Sequence, residues 1–418
     1  MKLLSILFLF INITSNLFGS NFSSANQNQD IKTFLPPYFI DYSILQETAE
    51  KYQNHKEPIY AYSKSLLQEA DMWLDSSYST IVNKTHLPSS GNKHDYYSLG
   101  PYWWPDSSKE NGLPYIRKDG YRNPERLEYD RPQLGNMIEA VNSLTLAFAI
   151  SNEDEYKSKA IGFLKTWFIN DSTKMNPNLE YGQAIPGITD GRGIGIIETR
   201  SLIDVVDAIG ILYRKNAFNK YDFEQLQNWF KEYNIWLTTS EKGIDEKNWY
   251  NNHGTAYDLQ VISFSLFVGD TTTAISILDS VITKRIIKQI EPDGTQPHEL
   301  ARTKALSYSI FNLKSFVQIA LIAEKFGRDY WNYESKDGRS ISKAITFLTP
   351  FLFEGEEWKY QELNKLYELK MNILEVLNIS NHKNETLNFD KYLKSYDKTD
   401  YEVQKEILIR PQKFLDLN

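Results

Sequence analysis

The sequence predicts an all-α chain folded as an (α/α) toroid or barrel of helical hairpins, incomplete or six-fold, with long functional loops. Three observations lead there. Apolar residues recur every three to four positions through most of the chain. Breakers divide these stretches into successive helices: Pro186-Gly187, Gly191-Arg192-Gly193, Asp293-Gly294 and Asp337-Gly338. Alternating strand patterns are scarce, and no strict solenoid repeat is present. Helix after helix in pairs, with irregular loops holding the aromatic and charged residues, suits helices layered round one core.

Composition sets the outer bounds. At 418 residues the chain is long for one domain, yet of ordinary length for a helical barrel. Apolar residues at 41% and charged residues at 24% describe a folded globular protein. The aromatic share of 14% fits a large core or an aromatic-lined groove. A net charge of −8 disfavours nucleic acid as a partner. A polyanionic ligand would need Arg and Lys gathered locally. The absence of cysteine excludes disulfides, thiolate nucleophiles, Cys-ligated metal sites and a lipobox lipid anchor.

In chain order, Met1-Lys2 precedes an apolar run from Leu3 to Ile11, then small residues at Gly19 and Ser20. This reads as a signal peptide over 1–22, which implies export to the periplasm, or secretion, in a Gram-negative bacterium. The alternative is an anchor, but the run falls short of the ~20 residues a span needs. No later segment is expected to cross a membrane. Residues 23–40 are expected to be flexible, 41–378 to form the toroid, and 379–418 to be a C-terminal extension. Helical periodicity starts near Tyr42 and runs through Lys64–Leu74. Residues 85–131 have Pro, Gly and aromatics without a period. A loop so long and so aromatic is expected to be ordered and functional. From Pro132 the helices follow one another: Met137, Val141, Leu144 and Phe148; Leu202, Val205, Ile209 and Leu212; Phe223 to Leu237; Leu259 to Leu266; Ile275 to Ile286; Leu313 to Ala323; and Leu363 to Leu377.

Two segments concentrate chemistry. Asn248-Trp249-Tyr250-Asn251-Asn252-His253-Gly254 reads as a loop feeding a helix N-terminus. Such a terminus suits a carboxylate and favours a neutral imidazole. The ordinary reading is that Asn251 or Asn252 caps the helix and His253 is a satisfied first-turn residue. Further on, Pro297-His298-Glu299-Leu300-Ala301-Arg302 leads to Tyr308. Glu299 and Arg302 are spaced to pair on one helix face, as an unremarkable surface ion pair. Arg302 and Tyr308 stand roughly 120° apart on a straight helix. They meet only if Arg302 lies at or before the helix start, or wraps round it. Tyr257, one turn after His253, is a rival phenol.

Asn-Asn-His-Gly, followed about fifty residues later by Pro-x-Glu-x-x-Arg and Ala-Leu-x-Tyr, resembles the alginate lyase family of helical-toroid polysaccharide lyases. The likeness runs over roughly residues 60–350 and includes Gly100-Pro101-Tyr102-Trp103-Trp104-Pro105-Asp106 and Met175-Asn176-Pro177-Asn178. It implies a polysaccharide lyase acting on a polyuronate, with Asn252 and His253 neutralising the carboxylate, Arg302 assisting and Tyr308 transferring the proton. No metal and no cofactor are expected, because Asn, His and Arg can neutralise the carboxylate.

The chemistry asks for such a set. In β-elimination the C5 hydrogen is barely acidic beside an ionised carboxylate, and the C4 oxygen leaves poorly unless protonated. Asn, Arg and His can neutralise the carboxylate, and a Tyr with its pKa lowered by nearby positive charge can move the protons. In mannuronate or glucuronate the C5 hydrogen and C4 oxygen share one side, so Tyr308 alone would serve; this case is favoured. In guluronate they are opposed, and His253 would be base to Tyr308 as acid. Trp249, Asn251, His298 and Glu299 are expected to contact substrate. Tyr102, Trp103 and Trp104 are expected either to stack on sugar rings or to anchor their loop. The Gly-rich stretch 181–195 lacks a P-loop ending and a preceding strand. Gln183 and Arg192 there are read as contacts to hydroxyls and carboxylates, with a structural ion pair as the alternative for Arg192.

Three rival functions remain: a lyase of glucuronan or another uronide, a glycoside hydrolase, and a non-catalytic periplasmic glycan-binding protein. A hydrolase needs two facing carboxylates, for which Asp190, Glu198, Asp293 and Glu299 are available.

Overall fold

A computed structural model describes residues 34–411. The expected signal peptide, and residues 23–33 of the segment expected to be flexible, lie outside the described residues. Residues 35–40 correct the remainder of that expectation. Tyr38 and Phe39 are buried, and the backbone N–H groups of Tyr38, Phe39 and Ile40 all donate to the buried carboxylate of Asp207.

The helices follow the periodicity closely. They are α1 (Tyr42–Gln53), α2 (Ile59–Leu74), α3 (Arg131–Ser151), α4 (Asp154–Phe168), α5 (Leu202–Arg214), α6 (Lys220–Thr239) and α7 (Glu241–Lys247). After these come α8 (Asn252–Phe267), α9 (Thr271–Val281), α10 (Ala305–Lys325), α11 (Ile341–Thr349), α12 (Leu366–Lys383) and α13 (Tyr401–Ile409). α9 runs on through a wider π-turn at Ile282–Ile286 that the spacing did not betray. Side-chain caps start many of them: Asp41, Asn219, Ser240, Asn251, Asp270, Ser340 and Asp400 each accept a first-turn N–H.

Seven helices form a closed succession of packed neighbours: α2, α3, α5, α8, α10, α12, α13 and back to α2. The expected toroid is there, and its ring closes with seven members. The difference lies in α13, which belongs to the stretch read as an extension. The boundary expected at 378/379 falls inside α12. Arg410, just past α13, pairs with Glu375 and Glu406 and donates to the Phe39 carbonyl. α10 is long and apolar enough to cross a membrane, contrary to expectation, but most of it is buried in the ring.

The core runs continuously from Tyr38 to Ile409. α8 is buried on nearly every face, so its polar residues need internal partners. Thr255 pairs with Gln289, Gln260 with Thr199, and Ser265 with Asn234. The aromatic loop is ordered. It builds an antiparallel pair, β2 (Trp103–Trp104) with β3 (Ile116–Arg117), while β1 (Tyr97–Leu99) pairs in parallel with β4 (Tyr181–Ala184).

Candidate active site

A cleft of about 1330 Å³ is walled by residues of α5, α7, α8, α10, α12 and α13 and by the segments at 101–122, 183–201 and 249–251. It collects Tyr102, Trp103, Gln183, Arg192, Trp249, Asn251, Asn252, His253, His298, Arg302 and Tyr308. These residues span two hundred positions of sequence and meet because the loops converge on one end of the inner helices.

The spacing problem of Arg302 and Tyr308 resolves through a break in the chain. One helical turn, Pro297–Leu300, ends before Arg302, and α10 begins at Ala305. Arg302 therefore precedes the helix that holds Tyr308. Its Nη2 donates to the Tyr308 hydroxyl at 3.1 Å, and the guanidinium lies 4.2 Å from the ring centroid. Asp119 fixes Arg302 from the far side at 3.0 and 3.3 Å, and also accepts from Arg117 and Thr303. Burial alone would raise the Asp119 carboxyl, but the hydrogen bonds and charge of Arg302 and Arg117 hold it at about 2. Gly120 lets this loop press inward, since a Cβ there would stand 2.4 Å from Thr303 Oγ1. The Tyr102 hydroxyl lies 2.6 Å from that of Tyr308.

Burial and then the neighbouring Tyr102 raise the Tyr308 phenol well above its usual range, and Arg302 opposes them. The expected lowering by nearby positive charge is thus outweighed, and the shift favours the protonated phenol. Tyr257 is no rival. It is buried, outside the cleft, and its hydroxyl donates to the Leu237 carbonyl.

Asn251 caps α8, accepting from the His253 N–H. The carboxylate at this helix N-terminus is the protein's own. Glu299 is buried, away from the cleft lining, and accepts from the Asn252 backbone at 2.8 Å and its Nδ2 at 2.6 Å. Two expectations read differently here: Glu299 was expected to contact substrate and lies off the cleft lining, and it was spaced to pair with Arg302 but makes no ion pair with it among the described residues. It holds the Asn252 amide instead, leaving the second Nδ2 hydrogen free.

Glu246 escaped the sequence reading. Its side chain is 0% exposed, and it meets His253 Nδ1 at 2.8 Å. The carboxylate keeps a hydrogen on Nδ1 and so leaves Nε2 as the free, basic nitrogen. Arg285, also missed, braces the segment from below by donating to the carbonyls of Trp249 and Lys247 while pairing with Asp258. Gly254 makes room, because a Cβ there would fall 2.1 Å from the Trp249 carbonyl oxygen.

Arg192 donates to the backbone and side-chain oxygens of Gln183 at 3.0 and 2.8 Å, with Trp103 against its guanidinium at 5.9 Å. It makes no ion pair among the described residues. Gln183 itself has φ 52°, a strained position that turns its side chain toward Arg192. Trp104 lies outside the cleft lining. Its Nε1 donates to the Tyr121 carbonyl and Lys118 covers its ring, so it anchors the hairpin. Tyr250 packs edge-on against His298 at 4.6 Å on the cleft wall.

None of the four carboxylates available to a hydrolase lines the cleft. Glu198 is taken by Tyr96 and Ser98, Glu299 by Asn252, and Asp293 by its own turn. Among the described residues, no group of three or more His, Asp and Glu is placed to hold a metal ion.

The alginate lyase family model matches residues 80–358. The chain belongs to the alginate lyase family. It is 38% identical to an alginate lyase from Bacteroides ovatus whose crystal structure superposes with a TM-score of 0.83, over 90% of this chain and 99% of that one. Two structures of alginate lyase A1-III complexed with tetrasaccharide, from Sphingomonas species A1, are 13% identical, with TM-scores of 0.50 and 0.51. They cover 83% of this chain and 94% and 95% of theirs, and show the fold alone. No curated protein sequence matches the chain. This alginate lyase family member is a polysaccharide lyase.

Proposed function

We propose that this lyase cleaves alginate-type polyuronate by β-elimination, with mannuronate-type linkages favoured, and leaves an unsaturated uronide end. One observation carries the reading: the Arg302–Tyr308–Tyr102 contact shares a cleft with Asn252 and the Nε2 of His253. Asn252 Nδ2 and Arg302 take the substrate carboxylate, which withdraws charge from C5. At a mannuronate linkage Tyr308 removes the C5 proton and returns a proton to the C4 oxygen as the C4–O bond breaks. For the first step the phenol must be ionised. The overlying guanidinium of Arg302 stabilises that phenolate. Asn252, His253 and Arg302 supply the neutralisation, so a chelator should leave the rate unchanged. The sequence of residues 1–22 supports export to the periplasm.

The Glu246–His253 contact favours a second reading beside the first. With Nδ1 held by Glu246, His253 could act as base through Nε2 and the Tyr308 hydroxyl as acid. Guluronate, with its C5 hydrogen and C4 oxygen on opposite sides, would need that pair.

The test is ultraviolet absorbance of the conjugated product while protein lacking residues 1–22 is offered polymannuronate, polyguluronate, glucuronan and pectate in turn. A rise with polymannuronate, faster than with the others, supports the reading. New reducing ends without absorbance would mean hydrolysis. Silence on every polymer would remove the polyuronate assignment.

A further inference from the structure

α10 carries Tyr308 in its first turn, yet no local side chain caps that turn. Lys304 stands at the N-cap without a side-chain hydrogen bond, and the turn holds no acidic residue. Asp41, Asn219 and Asn251 cap their own helices. The free N–H groups of a helix start must find partners somewhere. Here the partners come from 55 positions downstream. The Ser307 N–H donates to Glu362 Oε2 at 2.9 Å, and the Ala305 N–H donates to the Gln361 carbonyl at 3.0 Å.

Glu362 is itself held. Its Oε1 accepts from the backbone N–H groups of Leu363 and Asn364 at 2.9 and 2.8 Å. Asn364 then donates to the Ser307 hydroxyl at 3.1 Å, and both residues line the cleft. Leu363 reaches the far side of the helix break, where a Cβ on Gly120 would stand 2.9 Å from its Cδ1. Gly120 follows Asp119, the clamp on Arg302. The segment 361–364 thus meets both the loop that places Arg302 and the turn that places Tyr308. Its root is packed, with Trp358 5.0 Å from Phe351 and 6.3 Å from Phe347 of α11. Residues 361–364 lie past the stretch matched by the family model, which ends at 358.

We infer that Glu362 is a positioning residue for the elimination: by capping α10 from the 361–364 segment, it sets where the Tyr308 hydroxyl stands against Arg302 and Tyr102. A carboxylate suits this place. It takes N–H groups on both oxygens and sits at the positive end of the helix. The inference rests on the reading above that Tyr308 moves the protons, and adds the group that holds it in place.

The experiment measures kcat and KM by product absorbance for wild type, Glu362→Ala and Glu362→Gln, on the polymer of the panel above that wild type cleaves fastest. Both changes are repeated in a Tyr308→Phe background. A displaced reacting group costs turnover more than binding, so Glu362→Ala should lower kcat about tenfold or more and leave KM within about twofold. Glu362→Gln should fall between, because one amide oxygen serves Ser307 or its own loop but not both. It also carries the test should the alanine variant not fold. With the Tyr308 hydroxyl gone there is nothing left to place, so in that background either change should cost less than about twofold. Unchanged kcat in both Glu362 variants would overturn the inference. So would equal losses with and without the Tyr308 hydroxyl, which would mark a general loosening of the fold. Tyr308→Phe cleaving at the wild-type rate would sink the underlying reading instead, so the two failures are distinguishable.

Discussion

Tyr308 is where the residue-scale argument is sharpest. Removing its hydroxyl takes away the group that moves both protons, so Tyr308→Phe should lose about a thousandfold or more in kcat. It should still bind polymannuronate by calorimetry; a variant cleaving at the wild-type rate would remove Tyr308 from the mechanism. Tyr257→Phe is the control. Its hydroxyl serves the Leu237 carbonyl, so activity should persist while stability to urea falls by about 1 kcal/mol. Glu246→Gln tests the tautomer. The amide can accept from a protonated Nδ1 or donate to an unprotonated one, so His253 loses its fixed tautomer and the neighbouring negative charge. Turnover on polyguluronate should fall more than on polymannuronate. Equal effects on both polymers would separate His253 from the base role. Much of this set was legible, because Asn252, His253, Arg302 and Tyr308 fall in two short segments. Glu246 was not: seven residues and a helix break separate it from His253, and nothing in such spacing says which acidic side chain turns inward.

At the scale of elements, the site depends on a hairpin loop clamped to a helix break. Asp119 comes from the loop after β3 and reaches Arg302 across 183 positions, a pairing no local pattern encodes. Asp119→Asn should leave Arg302 free to swing from Tyr308 and lower kcat more than it raises KM. A variant with wild-type kcat would show that Arg302 is positioned by its own turn. The pH sign follows from the lowered carboxyl. Its folded value of about 2 lies below the ordinary 3.8, so the clamp contributes above 3.8 and is lost as pH falls from there through about 2. Inactivation in milder acid therefore has another source, and in Asp119→Asn that part of the profile should keep its midpoint. The same element explains why the aromatic run misled in part. Trp103 and Trp104 are neighbours on a strand, and neighbours on a strand face opposite ways. One faces the cleft and the other the hairpin backbone.

For the whole molecule, periodicity revealed the helices because each buries one face, but it could not reveal how the ring closes. Closure falls to α13, whose surroundings at 378–400 are polar and rich in Asn and Lys, and read as a tail. What ties it down is charge. Arg410 is 9% exposed and reaches Glu375 on α12 and Glu406 on α13, while Glu375 also pairs with Lys314 of α10. Three ring helices thus meet at one ion-pair network, which also reaches the Phe39 carbonyl. Arg410→Ala removes the one guanidinium that both buried carboxylates share, so it should cost about 3–5 kcal/mol in equilibrium urea unfolding. The loss should appear as one earlier cooperative transition if α13 is a member of the ring. A separate early transition involving α13 alone, with the main midpoint unmoved, would show that the ring stands without it. Because Glu375 and Glu406 also line the far end of the cleft, the folded variant should show a higher KM on long chains as the wall loosens. That couples the last helix of the chain to substrate, a link expected of a closed ring and not of an appended tail.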